Sequence, residues 1–504
     1  MKKVFVVPNR YMDSVTLMGI AVRLQERPEV HSADCGMGTR QNMELLREEG
    51  YTLPEDITKN DLMLALECDT EEQLKAAFDA GMSAMMSGSG NHERVYHDVS
   101  ELEDHAYDVL QISLPGKYAL KEAYKAVDKG MDVFMFTADV SLEEERALKE
   151  YGRDRGCLIM GPDAGVGLLG GVAMAAGSIV RRGPIGVIGA SGSGSQEVAC
   201  LIEDMGSGVT CILGTGGRDL KKQVGGISMK ADMKRLEDDE DTKLICLVSM
   251  LADREIMEEV LCEADRLTKP VVAVFLGADE ALYQRHRVVG TYNLQDAAKA
   301  CLRLLTGAEP KIGWSEEELD RLAQECLCHF IGEKKYFRGL YTGGTFAEET
   351  LITFRIQAPD TLVHTNRDNT RYAVRLKTHK QSEGHTLLDM GDLDFTAEAP
   401  HTVFDPAQRL QRFHQEQADP EVGLIAMDII LGPGVAPDPA SCYLPSMKER
   451  SDIVYVCAVC GGEGDPQNKA LIKEKLRQAG AIVADSNYES ARLCARICQK
   501  LEGK

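Results

Sequence analysis

Two glycine-rich stretches carry the residue types best placed to do chemistry. Gly189-Ala190-Ser191-Gly192-Ser193-Gly194-Ser195 follows the apolar run 185–188 and leads into a helical pattern from 196. Gly339-Leu340-Tyr341-Thr342-Gly343-Gly344-Thr345 leads into another from 346. A strand that runs through such a loop into a helix leaves several backbone N–H groups without partners. Glycine admits a ligand close to the backbone, Ser and Thr hydroxyls add donors, and the helix dipole favours negative charge. The chemistry implied is anion binding, with a phosphoryl-like group as guest. Neither is a Walker loop, because no Gly-Lys-Ser or Gly-Lys-Thr follows. A tight turn without a ligand is the competing reading for either loop alone; their equivalent places in a repeat favour the ligand. Ser191, Gly192, Ser193, Gly194 and Ser195, with Gly343, Gly344 and Thr345, are therefore candidate phosphate- or substrate-binding positions. Gly216 and Gly217, in Gly214-Thr215-Gly216-Gly217, and Gly391, in Leu388-Asp389-Met390-Gly391, join them as glycines at strand ends. Arg338 and Arg218 are the candidates for catalytic charge, with Arg182 a third.

Other motifs favour structural roles. Cys457-Ala458-Val459-Cys460 has redox spacing but sits in an apolar strand with no second pair, so buried structural thiols are expected. Cys326-Leu327-Cys328-His329 has no partner group nearby, and no metal site is expected. His286, between Arg285 and Arg287, reads as surface, and 237–241 as a solvated acidic turn. The run Glu333-Lys334-Lys335-Tyr336-Phe337-Arg338 puts cations just before the second loop; a basic linker end is the plainer reading.

The elements that must hold these loops follow from periodicity. Strand 4–7, helix 14–24, strand 31–35, helix 41–49, strand 61–66 and helix 70–85 suggest a small α+β sandwich of ferredoxin-like type over residues 1–90. Ser87-Gly88-Ser89-Gly90-Asn91-His92 reads as a linker. Strands at 109–114, 132–137 and 158–160 alternate with helices at 117–130 and 142–155, which implies a parallel sheet, Rossmann-like, over 104–165. A repeat follows. The copy over 166–306 has strands at 185–188, 211–213, 244–248, 271–275 and 288–291; that over 336–504 has them at 387–392, 423–430, 453–459 and 481–484, besides the strand leading into its loop. Even the tails match: Asn293-Leu294-Gln295-Asp296-Ala297-Ala298 echoes Asn487-Tyr488-Glu489-Ser490-Ala491-Arg492. Each copy reads as a five-stranded, flavodoxin-like α/β unit. The copies differ by a polar insertion at 356–382, expected as a loop or hairpin, and are joined by 306–335, mostly a charged helix at 315–327.

Composition excludes several classes. The 504 residues are 44% apolar and 27% charged, with a net charge of −23; a nucleic-acid groove needs clustered cations instead. No apolar run reaches the roughly 18–20 residues of a membrane span, and Met1-Lys2-Lys3-Val4-Phe5-Val6-Val7 reads as a first strand rather than a signal peptide. Fifteen scattered cysteines fit reduced, buried thiols. A soluble cytoplasmic protein is expected.

At Leu114-Pro115-Gly116-Lys117, Gly161-Pro162-Asp163 and the loop 189–195, the chain resembles the α subunit of the succinyl-CoA synthetase superfamily. At 341–345, Leu388-Asp389-Met390-Gly391 and 426–432 it resembles the last domain of the β subunit. The resemblance covers about three quarters of the chain and is most specific to the FdrA group. It implies a degenerate CoA-binding-like unit at 104–165 and two ligase-CoA-like domains, whose helix N-termini face each other in that superfamily. Departures matter as much. The family's phosphohistidine lies in a Gly-His-Ala-Gly loop, whereas the interval 278–287 offers only Arg285-His286-Arg287. Its supporting Glu is replaced by Ser249-Met250-Leu251, its first CoA-cradling loop gives way to an unrelated domain, and no ATP-grasp domain is present. FdrA membership implies a subunit of an oxamate carbamoyltransferase in anaerobic allantoin breakdown. Such an enzyme moves a carbamoyl group between oxalurate or oxamate and phosphate or carbamoyl phosphate. It works with other subunits and needs no metal, CoA or nucleotide cofactor. The alternatives are an acyl-CoA synthetase of the succinate–CoA ligase kind with a separate ATP-grasp partner, and a non-catalytic scaffold subunit.

Overall fold

The computed structural model describes residues 1–503 except 9, 11, 13, 26, 55, 87–97, 251, 369–370 and 398. The linker expected at 87–92 lies outside the described residues. The chain divides into two units, Met1–His97 and Asp98–Lys504.

In the first unit, strands Lys2–Val7, Val30–Met37 and Leu62–Cys68 form an antiparallel sheet with Leu62–Cys68 in the middle. Two-residue periodicity sends Leu62, Leu64 and Leu66 to one face, against Leu17, Ile20, Leu24, Leu74 and Ala77 of helices Ser14–Gln25 and Glu71–Met86. Met63 and Ala65 go to the other, against Leu46 of helix Arg40–Glu48. The expected α+β sandwich is present, with three strands and helices on both faces.

The second unit begins with a parallel sheet of Val109–Ile112, Asp132–Met135 and Ile159–Met160, with helices Gly116–Asp128 and Leu142–Arg153 between its strands. Two seven-stranded sheets follow. In the first, the parallel order is Val209–Gly214, Arg182–Ala190, Leu244–Ser249, Val271–Phe275, Val289–Thr291. A hairpin, Val166–Leu169 with Val172–Ala175, pairs antiparallel on its edge. In the second, the order is His385–Asp389, Tyr336–Tyr341, Val422–Ile430, Val454–Cys460, Ile482–Ala484. Both have the 2-1-3-4-5 order of a flavodoxin-like sheet. All nine residues of Val422–Ile430 are buried, as befits a central parallel strand covered on both faces. The insertion 356–382 is neither loop nor hairpin: it adds Val363–Thr365 and Val374–Arg375 to the sheet in parallel, extending the edge beside His385–Asp389.

One apolar core spans the two large sheets. Val198 and Ile202 of helix Gly192–Asp204 and Leu294 and Cys301 of helix Leu294–Thr306 meet Phe346 and Leu351 of helix Gly344–Gln357 and Leu493 and Ile497 of helix Asn487–Glu502. The copies also cap each other. Glu197 accepts the Asn487 N–H at 2.9 Å, at the start of the other copy's last helix. Glu349 accepts the Leu294 N–H at 2.8 Å and an Asn487 side-chain N–H at 2.8 Å. Each glutamate is the sixth residue of its helix. The joining helix, Glu316–Cys326, opens on a Ser315–Glu318 capping box and pairs Glu316 and Asp320 with Arg492, Arg496 and Lys500. No helix among the described residues is long and apolar enough to cross a membrane.

Candidate functional site

Strand Arg182–Ala190 delivers Ser191 to the N-cap of helix Gly192–Asp204. Its Oγ accepts the Gly194 N–H at 3.2 Å, and its carbonyl accepts the Ser195 N–H at 3.1 Å and the Ser195 hydroxyl at 2.6 Å. That leaves the N–H groups of Gly192 and Ser193 without an acceptor among the described residues. Strand Tyr336–Tyr341 delivers the second loop, which is held from below. The Asp428 carboxylate accepts the N–H of Thr342 at 2.8 Å and of Gly343 at 2.7 Å, and is itself paired with Arg409 at 2.7 Å. The Gly343 carbonyl takes the N–H groups of Phe346 and Ala347, and those of Gly344 and Thr345 have no acceptor among the described residues.

The two loops touch. Ser191 Oγ and Thr345 Oγ1 share a buried hydrogen bond of 2.7 Å. A Cβ on Gly343 would stand 3.1 Å from Ser193 Cβ, and one on Gly194 3.0 Å from Thr345 Cγ2, so both glycines are needed for this approach. Two helix N-termini, each worth about half a positive charge, thereby open into one cleft of about 260 Å3. Its walls include Phe136, Asp163, Gln196, Gly217, Met250, His401 and Phe404.

Of the residues expected at the site, Ser191, Gly192, Ser193, Gly217, Gly343, Gly344 and Thr345 line this cleft. Gly194 and Ser195 lie beneath it and are spent on the Ser191 cap. Gly216, at φ +86°, sits where a Cβ would meet the Pro162 carbonyl at 2.1 Å, so it serves chain packing. Gly391 makes room for His401: a Cβ there would be 2.6 Å from His401 Nε2.

Arg338, Arg182, Lys334 and Lys335 are placed away from the cleft. Arg338 is 2% exposed and bound to Glu416 and Asp419, three residues short of the strand's carboxyl end. Arg182 pairs with Asp241, Lys334 with Asp452 and Lys335 with Glu421. These residues begin their strands, while the cleft lies where the strands end. Arg218 is beside the cleft but its guanidinium is 2.8 Å from the buried Glu145. His286 is not at the surface: its ring is 3% exposed, with Nδ1 2.7 Å from Asp265 and Nε2 3.5 Å from Glu258. Cys457 and Cys460 are buried, as expected, and burial pushes the Cys457 thiol up to about 12. Cys326 is buried and Cys328 exposed.

Two polar groups at the cleft were not foreseen. Asp163 follows Pro162 at φ +63°. Its side chain is reachable from the cleft, yet surrounding protein desolvates it and pushes its carboxyl up, against the pull of Arg218. His401 accepts the Val403 N–H on Nδ1 at 3.1 Å, and burial holds its imidazole below the usual histidine range. A search of the loops that follow strand carboxyl ends would have reached both, through Gly161-Pro162-Asp163 and the stretch after Gly391.

Family models match three parts of the chain: "AllF, heavy metal-associated domain" at residues 1–99, "CoA binding domain" at 180–277 and "CoA-ligase" at 340–497. Among its described residues the first shows no fitting metal site. Cys35 and Cys68 of that unit are buried in its strands, and among the described residues no cluster of three or more His, Cys, Asp or Glu could hold an ion. The ADP-forming sulfoacetate-CoA ligase subunit SauD of Bilophila wadsworthia is 29% identical over 37% of this chain and 65% of its own. The succinate–CoA ligase [ADP-forming] subunit alpha of Methanothermobacter thermautotrophicus is 25% identical over 39% of this chain and 68% of its own. The protein YahF of Escherichia coli K12 is 33% identical over 99% of both chains. The chain belongs to the YahF family, and it joins an AllF-type N-terminal domain to CoA-binding and CoA-ligase domains of the succinyl-CoA synthetase superfamily.

Proposed function

We propose that this chain is the phosphate-holding subunit of an oxamate carbamoyltransferase, working with other subunits in anaerobic allantoin breakdown. One observation carries the reading: the free N–H groups of Gly192, Ser193, Gly344 and Thr345 converge on one cleft from two opposed helix N-termini. Phosphate oxygens would accept these donors, and no lysine or arginine lines the cleft among the described residues. In the reaction, a phosphate oxygen attacks the carbamoyl carbon of oxalurate. The carbon–nitrogen bond breaks, the nitrogen takes a proton, and oxamate and carbamoyl phosphate leave. Asp163, whose carboxyl desolvation pushes above its ordinary value, stands at the cleft wall and would be the acid that supplies that proton. The AllF-type domain and the resemblance to FdrA supply the pathway. His286, buried between Asp265 and Glu258, speaks against a histidine relay.

The second reading is an acid–thiol ligase with an ATP-grasp partner, favoured by the CoA-binding and CoA-ligase matches. Thermal shift with carbamoyl phosphate and with CoA separates the two. A ligand at a hundred times its Kd adds about 2.7 kcal/mol. A rise in Tm with carbamoyl phosphate alone supports the transferase; a rise with CoA alone replaces it with the ligase.

A further inference from the structure

The loop that follows Gly391 folds back over the second glycine loop and is sewn to it. Thr402 Oγ1 donates to Thr342 Oγ1 at 3.2 Å, and the Val403 carbonyl accepts the Ala436 N–H at 3.0 Å. This brings His401 to the cleft wall. Its ring packs edge-on to Phe404, with centroids 6.0 Å apart, and Phe404 packs on Phe136 across the cleft at 6.3 Å. The imidazole is also fixed in tautomer. Because Nδ1 accepts the Val403 N–H, the proton of the neutral ring is on Nε2. The ring, which lines the cleft with Nε2 beside Gly391, therefore offers a donor rather than a lone pair, and this histidine is not set up as a nucleophile. Nε2 has no acceptor among the described residues.

We infer that His401 donates through Nε2–H to the carbonyl oxygen of an acyl group joined to phosphate in the cleft, so that the site tells an acyl phosphate from inorganic phosphate. The inference rests on the reading of the cleft as a phosphate site. Gly192, Ser193, Gly344 and Thr345 serve the phosphoryl oxygens, which leaves the carbonyl as the acceptor for the remaining donor. Burial keeps the imidazole neutral near pH 7, and a neutral imidazole N–H polarises a carbonyl without adding a charge that inorganic phosphate would also feel. A Cβ at Gly391 would meet both His401 Nε2 and the Thr342 carbonyl at 2.6 Å, so glycine there lets the histidine and the second loop approach each other.

The test is calorimetric titration of the full chain with freshly prepared carbamoyl phosphate and with inorganic phosphate. His401→Leu should weaken carbamoyl phosphate about tenfold, the worth of one hydrogen bond, and leave inorganic phosphate within about twofold on the same basis. His401→Gln, which keeps an N–H near Nε2, should recover most of the loss. His401→Phe, which fills the same space without a donor, should reproduce the selective loss if the leucine variant does not fold. Equal loss of both ligands, or loss of neither, overturns the role of His401 while leaving the cleft reading intact. Wild-type protein that binds neither ligand overturns the cleft reading and this inference with it.

Discussion

Asp428→Asn tests whether the second loop is held as described. Asp428 is fully buried. One oxygen accepts the Thr342 N–H and an Arg409 N–H, and the other accepts the Gly343 N–H. Arg409 is 4% exposed and otherwise bonded to the Leu340 and Asp428 carbonyls. The amide keeps one acceptor but turns an NH2 toward the Gly343 N–H, and leaves the guanidinium without its countercharge. Breaking a buried pair in this way costs about 3–5 kcal/mol. The unit that carries it has about 400 residues; at about 2.1 cal/mol/K per residue its unfolding entropy is about 0.9 kcal/mol/K, so Tm should fall about 4–6 °C. The clash also moves Gly343 off its anchor, turning the Gly344 and Thr345 N–H groups away from those of Gly192 and Ser193. Scanning calorimetry with and without phosphate reads both effects. The variant should melt early and gain less from phosphate than wild type. An unchanged Tm together with an unchanged phosphate response would refute the account of how the loop is held.

Three further outcomes are expected. Ser191→Ala removes an N-cap and the bridge to Thr345; it should cost about 1 kcal/mol and weaken phosphate severalfold by calorimetric titration. Arg338→Met should cost about 3 kcal/mol, because Glu416 keeps Arg412 while Asp419 loses its partner; phosphate affinity of the folded variant, measured the same way, should not change. Burial raises the Glu349 carboxyl from 4.5 to about 7, so the folded state holds its proton more tightly than the unfolded one. That stability is full below about pH 4.5 and fades as pH rises through 7, a loss of about 3 kcal/mol. Tm measured from pH 5 to 8 should therefore fall more steeply for wild type than for Glu349→Gln; parallel curves would sink the assignment.

What the sequence showed of the fold was local. Strand–glycine–helix junctions, the matching tails 293–298 and 487–492, and the buried cysteines all follow from spacing within one segment. The helix Gly192–Asp204 starts four residues before its periodic part because glycine and serine, poor helix formers, make up its first turn. The edge hairpin had a readable signal, Gly170-Gly171 at φ +55° and +84° between Leu169 and Val172; the density of glycine around it reads as loop. What the sequence hid was direction. Nothing in Lys334-Lys335-Tyr336-Phe337-Arg338 says that these cations stand at the amino end of a strand whose cleft lies at the other. Arg285 and Arg287 point out while His286 between them turns in to Asp265. Asp163 and His401 come from segments distant from either glycine loop, so only the folded chain brings them to the cleft.

The duplication explains why the loops meet as they do. Glu197 and Glu349 occupy the same place in their helices, and each caps the last helix of the opposite copy. Turning one copy against the other would uncap both helices and strand two buried carboxylates, so the relative placement of the glycine loops is set several residues behind the cleft. The loops themselves can then stay small and spend their N–H groups outward. This placement has a cost, since two helix N-termini of like sign face each other across Ser191 and Thr345. The Asp428 carboxylate offsets part of that repulsion from beneath the second loop. Asp389, beside Gly344 and paired with Arg367, and Asp163, whose carboxyl is held toward its neutral form, are further acidic groups near the loops. On the proposed reading, an anion seated between Gly192, Ser193, Gly344 and Thr345 would complete the balance from the open side of the cleft.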